Sequence, residues 1–351
     1  MSEKSLLVTG GAGFIGSHAA IHFARKGYRV TVLDNLSRNA LLGRGGVGQR
    51  RNWDRLSELE SIRLVEGDVR DAETVTALAR DADAILHAAA QTAVTSSVKD
   101  PEADFTTNAL GTFRVLEAAR LSRKRPAVIY CSTNKVYGDR VNQVPVVEEA
   151  ARYRFGDEFA RGIPVEFGVD LAEHTPYGCS KLTGDLYVQD YGRLHGLKVG
   201  VFRMSCIYGT WQFGVEDQGW VAWFVIAALT GKPLTIFGDG KQVRDVLWVC
   251  DLVAAYEAFL ERGPWLGVYN MGGGPENTLS LLELLQILRG ETGPFPEPAY
   301  ADWRPSDQKV YISDISRAME ELAWRPAVTP AEGVKRLLSW AEENRALVEE
   351  L

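Results

Sequence analysis

The sequence has few cysteines and no long hydrophobic run. Its 4 cysteines are scattered through 351 residues without the spacing of zinc ligands, which argues against a metal site and against a disulfide framework. The longest apolar run, residues 220–229, is much shorter than the ~20 residues that span a bilayer. The apolar stretch at residues 6–8 is too short for a signal peptide. We therefore expect a cytoplasmic protein with no metal ion and no membrane partner.

An excess of basic residues is also absent. Lys and Arg number 39 against 46 Asp and Glu, which gives a net charge of -7. A nucleic-acid backbone is bound by a basic surface, so we expect no nucleic-acid partner. Hydrophobic residues make up 46% of the chain and charged residues 24%, which is typical of folded globular proteins. At ~150 residues per domain, the length predicts about two domains.

Short runs rich in Val, Ile and Leu alternate with amphipathic stretches through the first 205 residues. Continuous apolar strands separated by helices indicate parallel strands that are buried on both faces. The sequence therefore predicts an α/β fold, a Rossmann doubly wound parallel sheet with a smaller C-terminal substrate-binding lobe. The predicted strands are 5–9, 29–33, 62–65, 83–87, 127–132 and 198–203. The predicted helices are 14–26, 106–120 and 180–195.

The regular alternation loosens in the last third of the chain. Gly and Pro cluster at 231–233, 238–240, 272–275 and 294–298, which indicates loops and short elements. We expect residues 1–205 to form the Rossmann domain and residues 206–351 to form mainly the smaller lobe. Segment 238–262 is a candidate to return to the first domain.

A glycine-rich loop follows the first predicted strand. Residues 9–16 read TGGAGFIG, and a helix is predicted directly after them. In this context Gly10, Gly13 and Gly16 allow a tight turn and a close approach of the backbone to a pyrophosphate at the helix N-terminus. Asp34 ends the second strand, where a carboxylate binds ribose hydroxyls and repels a 2′-phosphate, so NAD is favoured. Arg38 keeps NADP open as the alternative, and Asp68 either meets the adenine or only forms a turn.

A second group of residues has the chemistry of a general base. Tyr177 and Lys181 are one helical turn apart on the same face of a predicted helix. An ammonium beside a phenol favours the phenolate, so Lys181 is expected to lower the pKa of Tyr177. Thr133 ends a central strand, where open α/β sheets bind ligands. These three residues together predict a site for proton transfer next to the dinucleotide.

With these motifs, essentially the whole chain resembles the extended short-chain dehydrogenase/reductases. The resemblance rests on the glycine loop, the strand end at 87–90, Asn108, the Tyr177–Lys181 pair and the segment VRDVLWV at 243–249. Four longer blocks are similar to the CDP-paratose 2-epimerase (CDP-tyvelose 2-epimerase) branch of that family. They are STNKVYGD (132–139), TPYGCSK (175–181), SCIYGTWQFGVEDQGWVAWF (205–224) and GDGKQVRDVLWV (238–249).

The resemblance implies a role for each residue that matches a family position. The implied catalytic residues are Thr133, Tyr177 and Lys181. The implied cofactor contacts are Gly10, Gly13, Phe14, Ile15, Gly16, Asp34, Asn35, Asp68, Val69, Ala88, Ala89, Ala90, Asn108, Ser132, Tyr177 and Lys181. The implied substrate contacts are Thr133, Asn134, Cys206, Arg244, Arg304 and Asp307, with both arginines on the substrate diphosphate and Asp307 on its ribose.

The activity implied by the resemblance is NAD-dependent epimerisation at C2 of a nucleotide-linked hexose through a 2-keto intermediate. A C4 epimerase, or a C2 epimerase of GDP- or UDP-hexoses, stays open as the alternative. Sugar 4,6-dehydratases carry acidic residues directly after the catalytic Thr, whereas this chain has Asn134 and Lys135. A catalytically silent NAD-binding regulator would have little reason to keep Thr133, Tyr177 and Lys181 together. A homo-oligomer, dimer or tetramer, is also expected.

Overall fold

A computed structural model describes residues 4–37, 47–216, 218–304 and 307–350. The strands are β1 (Ser5–Thr9), β2 (Arg29–Asp34), β3 (Ile62–Glu66), β4 (Ala84–His87), β5 (Ala127–Thr133), β6 (Val146–Glu148), β7 (Tyr153–Phe155), β8 (Val199–Met204), β9 (Cys206–Tyr208), β10 (Thr235–Phe237), β11 (Val243–Trp248), β12 (Leu266–Met271), β13 (Thr278–Ser280), β14 (Ala299–Ala301) and β15 (Val310–Tyr311). The helices are α1 (Phe14–Arg25), α2 (Val47–Ser57), α3 (Ala72–Ala79), α4 (Val94–Lys99), α5 (Pro101–Phe105), α6 (Gly111–Leu121), α7 (Thr175–His195), α8 (Trp220–Thr230), α9 (Val249–Arg262), α10 (Leu281–Thr292), α11 (Ser316–Leu322), α12 (Pro330–Glu343) and α13 (Arg345–Glu349).

The main sheet has seven parallel strands in the order β12-β8-β5-β4-β1-β2-β3. Successive side chains of β1 point to opposite faces, so Leu6 and Val8 join the apolar layer with α1 and α9, while Leu7 joins the layer with α3, α6 and α7. Both faces of the sheet are therefore buried, and the predicted doubly wound α/β fold is confirmed. Strand order reverses between β1 and β4, where such sheets open a crevice at the carboxyl ends of their strands.

Two helices begin earlier than the sequence predicts. The helix predicted at 106–120 is preceded by α5, because Asp100 caps the Ala103 amide and Pro101 fits the first turn, and its own first five residues, Thr106–Leu110, form a π-helical turn. Helix α7 begins at Thr175 rather than at residue 180, and Pro176 lies in its first turn. In both places a proline marks the helix start, where its missing N–H costs no hydrogen bond.

The smaller lobe surrounds a four-stranded sheet in which β11 pairs with β9, β13 and β15. Helices α8, α10 and α12 bury their apolar faces in this lobe. After β11 the chain turns back, because α9 packs in the core of the main sheet and β12 forms its edge strand. Residues on both sides of position 205 thus contribute to the main sheet, and the division at 205 stays a prediction. Over the described ranges, no helix is long and apolar enough to cross a membrane.

Candidate active site

A cleft of about 360 Å³ opens at the carboxyl ends of β1, β4 and β5. Most of the residues predicted to contact the cofactor line it, together with Cys206. They are Gly10, Gly13, Phe14, Ile15, Gly16, Asp34, Asn35, Val69, Ala88, Ala89, Ala90, Ser132, Tyr177 and Lys181, and Thr133, predicted as a catalytic and substrate residue, lines the cleft as well. Asp68, Asn108, Asn134, Arg244, Arg304 and Asp307 are not among the lining residues. The structure therefore brings the glycine loop and the Tyr177–Lys181 pair into one cleft. The predicted substrate residues Asn134, Arg244, Arg304 and Asp307 do not line it.

The glycine loop forms a cradle that side chains would fill. Gly10 has a φ of 69°, and a Cβ there would come within 2.5 Å of the Ala89 nitrogen. A Cβ on Gly16 would come within 2.3 Å of the Gly10 carbonyl oxygen. Only glycine allows β1, the β4 end and the first turn of α1 to approach this closely. The residues present fit a dinucleotide whose pyrophosphate lies at the N-terminus of α1.

Asp34 lies on the cleft wall and also holds the glycine loop. Its carboxylate accepts hydrogen bonds from the Ala12 amide at 2.9 Å and from the Leu36 amide at 2.8 Å. The side chain is only 5% exposed, so its negative charge disfavours a phosphate beside it. Arg38, which keeps NADP open in the sequence, lies outside the described residues.

The Asp68 carboxylate binds two nearby side chains, those of Arg70 and Asn35. The Arg70 side chain donates two hydrogen bonds to its carboxylate at 2.7 and 2.9 Å, and Asn35 donates a third at 2.9 Å. The Arg70 hydrogen bonds lower the pKa of Asp68 to about 2. Asp68 thus fixes Asn35, which lines the cleft, and a direct contact between Asp68 and the adenine remains a prediction.

Thr133, Tyr177 and Lys181 meet where β5 ends against the first two turns of α7. Thr133 is the N-cap of the following 3-10 helix, and its hydroxyl accepts the Lys135 amide at 3.2 Å. The Lys181 ammonium lies 4.2 Å from the centre of the Tyr130 ring. Burial lowers the pKa of Lys181 to about 8. A lysine with this pKa changes charge close to neutral pH, as acid–base sites require.

The expected decrease in the pKa of Tyr177 is not found in the protein alone. Burial raises the pKa of Tyr177 to about 12, and its hydrogen bond with Thr133 opposes this only in part. The nearby Asp104 carboxylate also raises it. Desolvation of the phenolate therefore outweighs the hydrogen bond with Thr133, and the motif alone does not reveal that balance.

Next to Tyr177 and Lys181 lies a buried polar network in which the sequence predicted a role only for Asn108, as a cofactor contact. The Ser180 hydroxyl donates to Asp104 at 2.5 Å, and the Asn108 amide donates to Ser180 at 3.0 Å. Asn108 also binds the backbone of Gln91 through its oxygen at 2.8 Å and its nitrogen at 3.0 Å. Asn108 therefore positions Gln91, which lines the cleft, from behind. Burial raises the pKa of Asp104, so its carboxylate depends on these donors.

A buried ion pair supports the same strand end and was also missed. Asp185, one turn after Lys181, accepts the Ser132 hydroxyl at 2.7 Å and the Arg203 side chain at 2.9 and 3.0 Å. Asp185 is fully buried and Arg203 is 5% exposed. The sequence did contain a sign of this ion pair. A charged residue, Arg203, stands at the end of an apolar strand, and a buried charge rarely lacks an oppositely charged partner.

Among the other predicted substrate residues, Cys206 lines the cleft, whereas Asn134, Arg244, Arg304 and Asp307 do not. The Trp220 indole donates to the Cys206 sulfur at 3.3 Å, and Asn134 is buried beside Thr133. Arg244 and Asp307, predicted to contact the diphosphate and the ribose, pair with each other at 2.7 Å. The Arg304 guanidinium stacks 3.9 Å from the Phe237 ring centre. No group of three or more His, Cys, Asp or Glu side chains in the described part of the chain could hold a metal ion.

Comparison with known proteins assigns this architecture. Residues 6–272 match the NAD dependent epimerase/dehydratase family. The chain is 39% identical to a CDP-paratose 2-epimerase of Salmonella typhi over 95% of its own length and 98% of the relative's. It is similar in structure to a UDP-glucose 4-epimerase of Thermotoga maritima with UDP-glucose (TM-score 0.81, 30% identity, 97% of this chain and 99% of that one). A dTDP-glucose 4,6-dehydratase of Streptomyces venezuelae, solved with NAD and TYD bound, gives a TM-score of 0.80 at 28% identity, covering 97% and 98% of the two chains.

Proposed function

The chain belongs to the NAD-dependent epimerase/dehydratase family, and on that premise we propose that it inverts C2 of a nucleotide-linked hexose. The proposed substrate is a CDP-hexose of the paratose and tyvelose type, and the proposed intermediate is the 2-keto sugar. The observation that carries the proposal is the meeting of Thr133, Tyr177 and Lys181 in one cleft of a chain that matches a CDP-paratose 2-epimerase almost from end to end. The enzyme is an isomerase, because no net oxidation results.

NAD is the cofactor of this enzyme. The glycine cradle and the N-terminus of α1 would hold its pyrophosphate, and Asp34 its adenosine ribose. The chemistry that NAD supplies when bound is reversible acceptance of a hydride from a carbon that bears a hydroxyl group.

Tyr177 is the proposed general base and Thr133 the proposed anchor of the reacting oxygen. Tyr177 takes the proton of the C2 hydroxyl as that carbon is oxidised and gives a proton back when the ketone is reduced. Lys181, buried one turn away, stabilises the tyrosinate that this transfer requires. The 2-keto sugar must turn between the two steps so that its opposite face is reduced. Binding of the distant nucleotide keeps the intermediate in place during that turn.

The residues after Thr133 argue against the dehydratase reaction that some relatives perform. Eliminating water from the sugar requires an acid near the leaving hydroxyl and a base near the neighbouring carbon. The next positions are Asn134, which is buried and uncharged, and Lys135, which has no carboxylate. The local chemistry therefore supports oxidation and reduction without elimination.

Isotopic labelling of the substrate tests the proposed function. Hydride transfer moves hydrogen between the sugar and the cofactor without exchange with water. In deuterium oxide we expect no deuterium on the sugar carbons of the epimer, measured by mass spectrometry and proton NMR. Substrate deuterated at C2 should keep its label and react more slowly if chemistry limits the rate.

The same experiment distinguishes the competing reactions. Solvent deuterium at C2 would contradict transient oxidation and indicate deprotonation. An isotope effect from C4-labelled substrate, with none from C2, would reassign the enzyme as a 4-epimerase. Assays with CDP-, GDP- and UDP-hexoses would identify the nucleotide.

We also propose that the enzyme is a homo-oligomer, built first as a dimer through α7. Three apolar side chains of this helix are exposed, namely Leu186 at 50%, Tyr187 at 47% and Leu194 at 72%. Their spacing places them on one side of α7, and the Tyr187 ring contacts Phe113 of α6. This α7 stripe (Leu186, Tyr187 and Leu194) supports a second copy as partner, because exposed apolar patches mark association surfaces.

We further propose that the enzyme works in the reducing cytoplasm. Its four cysteines are all free thiols, and Cys179 and Cys250 are exposed. Exposed thiols persist where the compartment keeps them reduced.

A further inference from the structure

Lys135 lies two residues after the cleft-lining Thr133 and is not itself among the residues that line the cleft. Its amide donates to the Thr133 hydroxyl at 3.2 Å, so its backbone is tied to the end of β5. Its carbonyl oxygen faces the first turn of α7, where a Cβ on Gly178 would come within 3.0 Å of it. The backbone of Lys135 is thus fixed against both elements that carry the proposed catalytic residues.

Lys135 is half-buried as a residue, and its side chain ends in an ammonium group. Across the described ranges, no hydrogen bond or ion pair of the protein engages this ammonium. Burial and the nearby Arg244 lower the pKa of Lys135, whereas Asp307 and Cys206 act in the opposite direction. The Lys135 side chain is therefore close enough to Arg244, Asp307 and the cleft-lining Cys206 to interact with them electrostatically.

The other cation nearby is already engaged. Arg244 donates to the Asp307 carboxylate at 2.7 Å and to the Val243 carbonyl oxygen at 2.9 Å. The Asp307 carboxylate is thus close to two cations, Arg244 and Lys135, but it forms an ion pair only with Arg244. A desolvated ammonium without a counterion is unfavourable, so an anionic group of the ligand is the partner that suits Lys135 best.

We infer that the Lys135 ammonium binds the phosphate group attached to C1 of the sugar. The inference rests on the proposed function. In a nucleotide-linked hexose the sugar is neutral and the diphosphate is anionic, and the phosphate is attached to C1, which adjoins the reacting C2. When C2 lies at Thr133 and Tyr177, the phosphate on C1 comes within reach of a side chain two residues from Thr133. When C4 reacts, the sugar ring separates that phosphate from Thr133. Lys135 thereby favours the binding mode in which C2 reacts.

Binding measurements on Lys135→Met test this assignment. CDP carries the phosphate that a CDP-hexose attaches to C1, whereas CMP lacks it. By calorimetry, we expect Lys135→Met to weaken CDP binding about 10- to 100-fold, the scale of a lost charge-assisted hydrogen bond, and to change CMP binding less than about two-fold. Lys135→Arg should recover most of the CDP affinity. The control is Lys241→Met, which removes a lysine paired with Glu148 outside the cleft and should bind both nucleotides normally.

The outcomes separate this inference from the proposed function. Equal loss of CDP and CMP affinity, or unchanged CDP affinity with a weaker CDP-hexose, would overturn the phosphate contact and leave C2 epimerisation standing. Unfolding temperature and bound NAD are measured for each variant, and a decrease in both for Lys135→Met and Lys135→Arg would indicate a structural role and overturn it as well. Wild-type protein that binds none of CDP, UDP, GDP and dTDP would contradict the proposed function and the inference together.

Discussion

Lys181 brings a charge into the protein interior next to the proposed base. Its side chain is 3% exposed, and burial lowers its pKa from the ordinary 10.5 to about 8. The charged form is therefore less favourable in the folded than in the unfolded chain. At every pH below about 8 the lysine is charged in both the folded and the unfolded state, so burial of its charge lowers the free energy of unfolding by the full amount. As the pH rises from about 8 toward 10.5, the folded state loses its proton first and the cost disappears.

We therefore predict that Lys181→Met stabilises the cofactor-free protein while abolishing turnover. At pH ~7 the free energy of unfolding should rise by about 1–3 kcal/mol, because a charge is no longer buried, less the lost contact with the Tyr130 ring. The advantage should shrink at pH ~9.5, where wild-type Lys181 is mostly neutral. Urea unfolding at both pH values measures it, and Lys241→Met serves as the surface control. A variant that is less stable at both pH values would contradict this interpretation of the buried charge.

Residues inside contiguous motifs could be predicted, whereas long-range partners could not. Gly10, Asp34 and Tyr177 stand in short patterns whose spacing matches a turn, a strand end or a helix face. Asp185 and Arg203 meet only because α7 crosses the carboxyl ends of β5 and β8. No spacing rule joins such positions, because the contact exists only once the sheet has formed.

The β1–α1 turn shows at the scale of elements how packing selects glycine. A side chain at Gly16 would collide with the backbone of Gly10, whereas Gly290, in α10, would meet nothing within 4 Å. Both glycines lie in helices, but only Gly16 is required by the packing around it. The first allows a close approach of backbones, and the second only weakens its helix.

We predict opposite effects from adding one methyl group at these two glycines. Gly16→Ala should lower the free energy of unfolding by about 1–3 kcal/mol and reduce the NAD that copurifies, because α1 must move away from the loop. Gly290→Ala should raise stability by about 0.5–1 kcal/mol and leave bound NAD unchanged. Thermal unfolding and chromatography of the released dinucleotide measure both effects. Full NAD content in Gly16→Ala would show that the loop does not limit cofactor binding.

Element boundaries were predictable where hydrophobic pattern decided them. The six predicted strands of the main sheet lie within about a residue of their predicted ends, because their apolar runs are mostly buried between two layers of helices, whereas the edge strand β12 was not predicted. The start of α7 lies five residues before the predicted one, and Pro176 and Gly178 are residue types that favour turns over helices. Tertiary contact decides it, because the close approach of Gly178 to the Lys135 carbonyl seats the first turn against the β5 end.

At the scale of the whole molecule, the two sides of α7 have different roles. Its buried side carries Tyr177, Lys181 and Asp185, while the α7 stripe lies exposed on its other side. Association through the stripe would therefore rigidify the helix that positions the proposed base without covering the cleft. The stripe lies two turns or more beyond Tyr177, so it can be altered without touching the reacting groups.

We predict that Leu186→Glu dissociates the proposed dimer. Burying a carboxylate in an apolar interface carries a desolvation penalty that no partner offsets, so the dimer should weaken by at least ~10-fold. Sedimentation velocity at micromolar concentration should show a dimer for the wild type and a monomer for the variant. The matched control is Leu171→Glu, because Leu171 is 94% exposed outside the stripe and should stay dimeric. Bound NAD should persist in both variants, since the cleft lies within one chain. A monomeric wild type would contradict the homo-oligomer, whereas a dimeric Leu186→Glu would move the interface away from α7.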